Sequence, residues 1–237
     1  MVNNKTLNAV IWKEKVLFFR STIWLVLFYL LLIEISNIYI LTSYIESDYI
    51  IKNIDNVVFN NLAMLVPTIF IAVGSVVLSQ SIGVEKKEGI LIQLIGNGTS
   101  AADIWLEKVI YSLLVCYVTL ILCIGSYYAM VTLLFSITIV FSIKQWILLI
   151  FVIPIISSFL LSIYAFLFWI SKSQLIQVLY SMLPAVIYLI SFYINDYIIS
   201  RVFEVKIPVL VLICCVCFLG IFLLSKVVKG YLIEKIL

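Results

Sequence analysis

Six apolar stretches, each about as long as a helix that crosses a bilayer, constrain this chain more than any other feature of its sequence. A transmembrane helix needs about 20 predominantly apolar residues. Stretches of that kind lie at 23–41, 62–81, 109–130, 146–170, 174–194 and 207–225. Apolar residues fill 65% of the 237 positions and charged residues 11%, whereas a soluble domain has roughly 45–50% and about 25%. The sequence therefore predicts an all-α integral membrane protein, a single transmembrane domain over residues 1–237 with six spans.

Small and helix-breaking residues inside the predicted spans indicate how those spans pack. The second span carries a row of small residues that allows another helix to approach closely, at Ala72, Ser75, Ser79 and Gly83. Pro154 predicts a kink in the fourth span. Residues 42–61 are predicted to form an external loop, and the β-branched stretch 131–143 has no pattern that specifies its conformation.

One polar stretch lies between the second and third predicted spans and reads EKKEGILIQLIGNGTSAADIWLEK, from Glu85 to Lys108. Charged residues cluster at both of its ends, which predicts that the stretch lies in water. Between those ends, one apolar helix stripe is formed by Ile90, Leu91, Leu94 and Ile95. Gly96-Asn97-Gly98 predicts a break, after which Thr99 or Ser100 can cap a second short helix. A helix, a turn and a helix are therefore predicted, and a solvated loop with ordinary helix ends is the alternative.

The pattern E-x-x-E-G, followed by an apolar half-turn, a small polar turn and a closing Lys, resembles the cytosolic coupling region of the ABC type-2 permease family. The residues that carry this resemblance are Glu85, Glu88, Gly89 and Lys108. Family members often have Thr-Leu-Glu after the Gly and a Pro in the turn, where this chain has Ile90-Leu91-Ile92 and Gly98. The resemblance implies that residues 82–108 are a cytosolic coupling helix-turn-helix between spans 2 and 3. In this reading a separate ATPase subunit docks there, with coupling residues Glu85, Glu88, Gly89, Leu91, Leu94 and Lys108.

The chain lacks the residues with which it could bind nucleotide or a metal by itself. It has no G-x-x-x-x-G-K-[ST] loop for nucleotide phosphates, and no histidine, the commonest metal ligand and a frequent general base. Its five cysteines lie in apolar spans, where a small hydrophobic residue is their ordinary role. We therefore expect no catalytic site, no metal site and no cofactor in this chain. The resemblance places ATP and Mg in the partner ATPase, and implies a second permease subunit, in a homodimer or a heterodimer.

Lysine and arginine are unevenly divided between the two sides of the predicted spans. Eleven lie in the N-terminal segment, the coupling stretch, the turn at Lys172 and the C-terminal segment, and four lie on the other side. The positive-inside rule then predicts that both termini are cytosolic. The resemblance implies an interfacial N-terminal segment at residues 6–20, for which a basic flank of the first span is the alternative. We expect a multi-pass protein of the bacterial plasma membrane.

Two predicted spans carry polar side chains at membrane depth. Glu34 and Asn37 lie one helical turn apart on the first span. A carboxylate at that depth costs about 3 kcal/mol, so Glu34 is either protonated and hydrogen-bonded to another helix or ionised in a water-filled pathway. The fifth span has a polar and aromatic stripe that includes Gln177, Tyr188 and Ser191. We predict that these five residues line a translocation pathway, with hydrogen bonding between helices as the alternative.

Taken with the resemblance, these features predict the membrane-spanning permease subunit of an ABC exporter. The chain is similar in size and style to permeases of bacteriocin or lantibiotic export and immunity, so an amphipathic substrate, a peptide, is expected. Other lipophilic or carbohydrate-linked substrates, which further family members move, are the alternative. The alternative is a six-span structural or regulatory membrane subunit that transports nothing.

Overall fold

The structure, a computed structural model, describes residues 54–87, 89–96, 98–135, 140–170 and 207–236, together with six helical positions of the first predicted span, Ile23, Trp24, Leu27, Leu31, Ile35 and Ile38. All regular structure among these residues is helical. The helices are α1 (Ile54–Lys87), α2 (Ile90–Gly96), α3 (Ala101–Phe135), α4 (Ile143–Ile147), α5 (Ile153–Ile170) and α6 (Ile207–Ile236). A π-helical turn at Leu148–Val152 joins α4 to α5.

Four of the described helical stretches are long and apolar enough to cross a membrane: Val58–Gly83, Ala101–Leu133, Ile143–Ile170 and Pro208–Val228. They coincide with the second, third, fourth and sixth predicted spans. The predicted fifth span, 174–194, lies outside the described residues, and the first is described only at the isolated positions given above. The fold is therefore that of an all-helical membrane protein.

α1 and α3 extend beyond the second and third predicted spans at both ends. α1 begins at Ile54, inside the stretch predicted to be an external loop, and continues to Lys87. α3 begins at Ala101 and includes the second short helix predicted for the polar stretch. Its 35 residues give a length of about 52 Å, well beyond the roughly 30 Å hydrocarbon core. The predicted boundaries were too narrow because a polar residue ends an apolar stretch without ending a helix.

Pro154 changes the helical register rather than breaking the helix. Proline has no backbone N–H and its ring clashes with the carbonyl one turn earlier. Just before it, the N–H of Ile153 donates to the carbonyl of Leu148, a π-type bond that spans one residue more than an α-helical bond. A π turn therefore precedes this proline, and α5 continues from it to Ile170.

Contacts at the two ends of α1 establish the directions of the neighbouring helices. At one end, the Asn61 amide lies 3.4 Å from the Tyr127 hydroxyl, and at the other the Lys108 ammonium donates to the Ser81 hydroxyl at 3.0 Å. α1 and α3 are therefore antiparallel. The rings of Phe59 and Phe141 meet edge to face at the Asn61 end. Since the far end of α1 meets the last turn of α5, as described below, α1 runs parallel to α4 and α5.

α1 is the central helix among those described. In its most apolar segment 78% of the residues are buried, against 33% for α3, 44% for the stretch from α4 to α5 and 11% for α6. The outward faces of those outer helices are apolar, with Ile121, Phe151 and Leu219 each more than half exposed. A surface of this kind is favourable in lipid and unfavourable in water. The burial pattern therefore agrees with a membrane environment.

α1 approaches α3 and α5 closely at Gly74. A methyl group at this position would lie 2.5 Å from a Leu161 methyl of α5 and 3.1 Å from the Cys116 sulfur of α3. The Ser112 hydroxyl also donates to the Gly74 carbonyl at 3.2 Å. The row of small residues predicted on this helix includes the buried Ser75 and Gly83, but the residue on which the close packing depends lies outside that row.

Candidate functional site

The polar stretch after α1 folds as a helix, a turn and a helix, as the sequence predicts. Gly89 and Gly98, which flank α2, have positive φ angles of 68° and 85°, a backbone conformation that glycine adopts at little cost. After α2, the N–H of Thr99 donates to the carbonyl of Leu94 and the N–H of Gly98 to the carbonyl of Ile95. This pair of bonds is a Schellman motif. It ends α2 and turns the chain into α3.

One face of α2 packs against the bundle and the other is open. Leu91 is buried, and Leu94 and Ile95 are half-buried against the same core. On the opposite face Ile92 is 68% exposed, and Gln93 is also exposed. Leu91 and Leu94, both predicted coupling residues, therefore seat α2 on the bundle. The outward surface consists of Ile92 and Gln93, which the sequence argument did not single out.

A buried ion pair joins the two helices that enter and leave this stretch. The Glu85 carboxylate of α1 lies 2.9 Å from the Lys108 ammonium of α3, and their side chains are 3% and 0% exposed. The Lys108 ammonium also donates to the hydroxyl and the carbonyl of Ser81, at 3.0 and 3.5 Å. The ammonium thus has two hydrogen bonds and one opposite charge around it. A charge pair taken out of water is tolerated only with such pairing and hydrogen bonding.

The expectation that the whole stretch lies in water is wrong at its two ends. Glu85, Glu107 and Lys108 are all buried, at 5% exposure or less. The reason is that α1 and α3 stay packed along each other as far as these residues, where the two opposite charges neutralise one another. Glu88, also predicted to be a coupling residue, lies outside the described residues.

Lys86, next to Glu85, contacts a different helix. Its ammonium donates to the carbonyl of Phe168 at 2.8 Å and to the carbonyl of Trp169, and it lies 5.9 Å from the centroid of the Phe168 ring. Both carbonyls belong to the last turn of α5, where helix carbonyls lack intrahelical donors and cations are favoured. Burial lowers the pKa of Lys86 to about 8. Consecutive helix residues point about 100° apart, so Glu85 reaches α3 while Lys86 reaches α5.

The predicted pathway residues Glu34, Asn37, Gln177, Tyr188 and Ser191 lie outside the described residues. The structure therefore leaves their roles as predictions. In the part of the chain that is described, no group of three or more His, Cys, Asp or Glu side chains could hold a metal ion.

The fold and the site define this chain as an all-helical membrane protein with a helix-turn-helix held by buried charges at one end of its bundle. Comparisons with protein-family models, curated proteins and solved structures give no significant match to it.

Proposed function

We propose that this chain is the membrane-spanning permease subunit of an ABC exporter, and that a separate ATPase subunit docks on the outward face of α2. The observation that carries the proposal is the exposed surface of α2. This helix exposes Ile92 and Gln93, and the buried Glu85–Lys108 ion pair joins α1 and α3, the helices on either side of it. An exposed isoleucine on a short helix gives a partner protein an apolar contact. The ion pair that joins α1 to α3 would then transmit the partner's motion from α2 into both helices.

In this proposal each predicted coupling residue has a distinct task. Glu85 and Lys108 are buried, so they fix the ends of α1 and α3 and do not touch the ATPase. Leu91 and Leu94 seat α2, and Gly89 supplies the turn into it. Direct contact is made by Ile92 and Gln93, and Glu88 stays a predicted contact residue.

The remaining parts of the proposal rest on the resemblance to ABC type-2 permeases and on the sequence. ATP and Mg are bound by the ATPase, two permease subunits form a homodimer or a heterodimer, and the complex lies in a bacterial plasma membrane with both termini of this chain in the cytosol. The substrate is amphipathic, a peptide, and passes Glu34, Asn37, Gln177, Tyr188 and Ser191. Several exposed apolar residues on α6 provide area for the second subunit or for lipid.

Co-purification tests this proposal. The affinity-tagged chain, expressed with the genes that neighbour its own, should retain an ABC ATPase in mild detergent. Ile92→Glu should abolish retention, because a charge replaces the apolar anchor, while the thermal stability of the chain stays unchanged. Val140→Glu is the matched control, since Val140 is an apolar residue that is 75% exposed at the opposite end of the bundle. If no ATPase is retained by the wild type, the chain is instead a structural or regulatory subunit.

A further inference from the structure

Two adjacent residues at the end of α1 hold two different helices. Glu85 pairs with Lys108 of α3 at 2.9 Å, and the ammonium of Lys86 donates to the carbonyls of Phe168 and Trp169 in α5. The end of α1 is thus tied to two neighbours by polar contacts. α2 begins at Ile90, only a few residues beyond both ties.

The contact between α1 and α5 at this end of the bundle combines apolar packing with the hydrogen bonds of Lys86. In the middle, α1 and α5 interlock, because a methyl group at Gly74 would lie 2.5 Å from a Leu161 methyl. Near the end, a methyl group at Gly83 would lie 3.6 Å from the Phe168 ring, an ordinary contact distance. Packing holds the middle of α5, and its last turn is held both by the buried side chains of Phe168 and Trp169 and by the hydrogen bonds of Lys86 to their carbonyls.

Lys86 binds backbone carbonyls at the end of α5, not side chains. The last carbonyls of a helix have no intrahelical N–H partners and carry the negative end of the helix dipole. An ammonium placed on them binds the end of α5 rather than any one side chain. These two hydrogen bonds therefore do not depend on which side chains occupy 168 and 169, provided that position 86 keeps an N–H donor.

We propose that Lys86 is the link that carries a displacement of α2 to the end of α5, so that α1 and α5 move together when a partner binds α2. The proposal rests on the proposed function for the identity of that partner. Lys86 acts in it as a positioning residue, since it joins two helices and contacts neither substrate nor nucleotide.

Distance measurement between spin labels tests the link without any partner. Spin-labelled amino acids placed at Gly96, the exposed last residue of α2 with nothing within 4 Å of an added Cβ, and at the half-buried Leu167 in the last turn of α5 should give a narrow distance distribution in the full chain in nanodiscs. Lys86→Met keeps the length of the side chain but removes its donors, so the distribution should widen about twofold as the end of α5 comes free. Lys86→Arg keeps a cationic donor and should restore the narrow distribution.

A matched control uses Lys226, whose ammonium lies 4.7 Å from the centroid of the Phe222 ring of its own helix. Lys226→Met removes the same charge without touching the contact between α1 and α5, so it should leave the distribution unchanged. A Lys86→Met distribution as narrow as the wild type would overturn the link. So would a failure of Lys86→Arg to narrow it again.

A second measurement separates the link from the proposed function. With the ATPase bound, adding ATP should shift the distance between residues 96 and 167 in the wild type and in Lys86→Arg. In Lys86→Met the ATPase should still bind, but the shift should be lost. If the wild type retains no ATPase, the proposed function fails. The distance distributions measured without the ATPase still show whether Lys86 joins α1 to α5. An equal ATP-dependent shift in Lys86→Met and wild type would contradict the link alone.

Discussion

The Glu85 carboxylate and the Lys108 ammonium lie 2.9 Å apart in the interior of the protein, where neither side chain is more than 3% exposed. The pair joins α1 to α3 at the point where the chain leaves and re-enters the bundle. Two consequences follow. Neither charge is free to contact a partner protein, and each is costly to the fold when the other is removed.

Removing one partner of this pair should be strongly destabilising. Glu85→Gln or Lys108→Met leaves a buried charge without its partner, which costs about 3–5 kcal/mol. The double variant should be less destabilised than the sum of the two single variants, because no uncompensated charge remains. Unfolding in detergent, followed by circular dichroism, gives the three free energies.

Asp103 provides the control for this cycle. It lies half-buried in the first turn of α3, where a negative charge is worth about 0.3–1 kcal/mol through the helix dipole. Asp103→Asn should therefore cost less than either single variant of the pair. Additive effects of the Glu85 and Lys108 substitutions would show that the pair is not coupled.

Gly74 and Gly125 should respond in opposite directions to the same substitution. Alanine usually stabilises a helix interior relative to glycine by roughly 0.5–1 kcal/mol. At Gly125 nothing lies within 4 Å of the added methyl group, so Gly125→Ala should raise the melting temperature. At Gly74 the methyl group would overlap both methyls of Leu161, and overpacking costs about 1–3 kcal/mol, so Gly74→Ala should lower it. A stabilised Gly74→Ala variant would contradict the close packing of α1 and α5.

The pKa of Lys86 predicts a specific pH dependence of stability. Burial lowers this pKa from 10.5 to about 8, so between those two values the unfolded chain holds a proton that the folded chain has lost. The free energy of unfolding should therefore rise with pH across that window. The neutral amine keeps two N–H donors for the carbonyls of Phe168 and Trp169. The melting temperature of the wild type relative to Lys86→Met should be higher at about pH 9.5 than at about pH 7.5, and a difference that falls would contradict the burial of this amine.

Glu34→Gln separates the two roles predicted for Glu34. Glutamine keeps the hydrogen bonds of a neutral acid and removes any charge. If Glu34 is ionised in the pathway, export of cationic peptides should fall while expression stays normal, because the negative lining that attracts them is lost. We expect this result in a peptide-resistance assay with peptides of several charges. Equal export by both proteins would reject the charged pathway.

The sequence predicts those features of this fold that depend on residues close together in the chain. The turn at Gly96-Asn97-Gly98 follows from local glycine chemistry, and Gly98 indeed has the positive φ of a Schellman motif. The cores of four spans follow from local hydropathy. The ion pair of Glu85 with Lys108 does not follow, since it depends on how α1 and α3 align. The hydrogen bond of Lys86 to the Phe168 carbonyl joins residues 82 positions apart, and the role of Gly74 depends on Leu161, so neither has a local signal.

Photo-crosslinking from α2 tests the central claim most directly. A photoreactive amino acid at Ile92, the exposed position, should crosslink an ABC ATPase in native membranes. The same group at the buried Leu91 should crosslink only within the chain, and at Val140 it should capture no ATPase. An ATPase adduct at Ile92, with none at Leu91 or Val140, is the result that the proposed docking face predicts. The absence of an adduct at Ile92 and Gln93, in membranes where the complex is assembled, would contradict it.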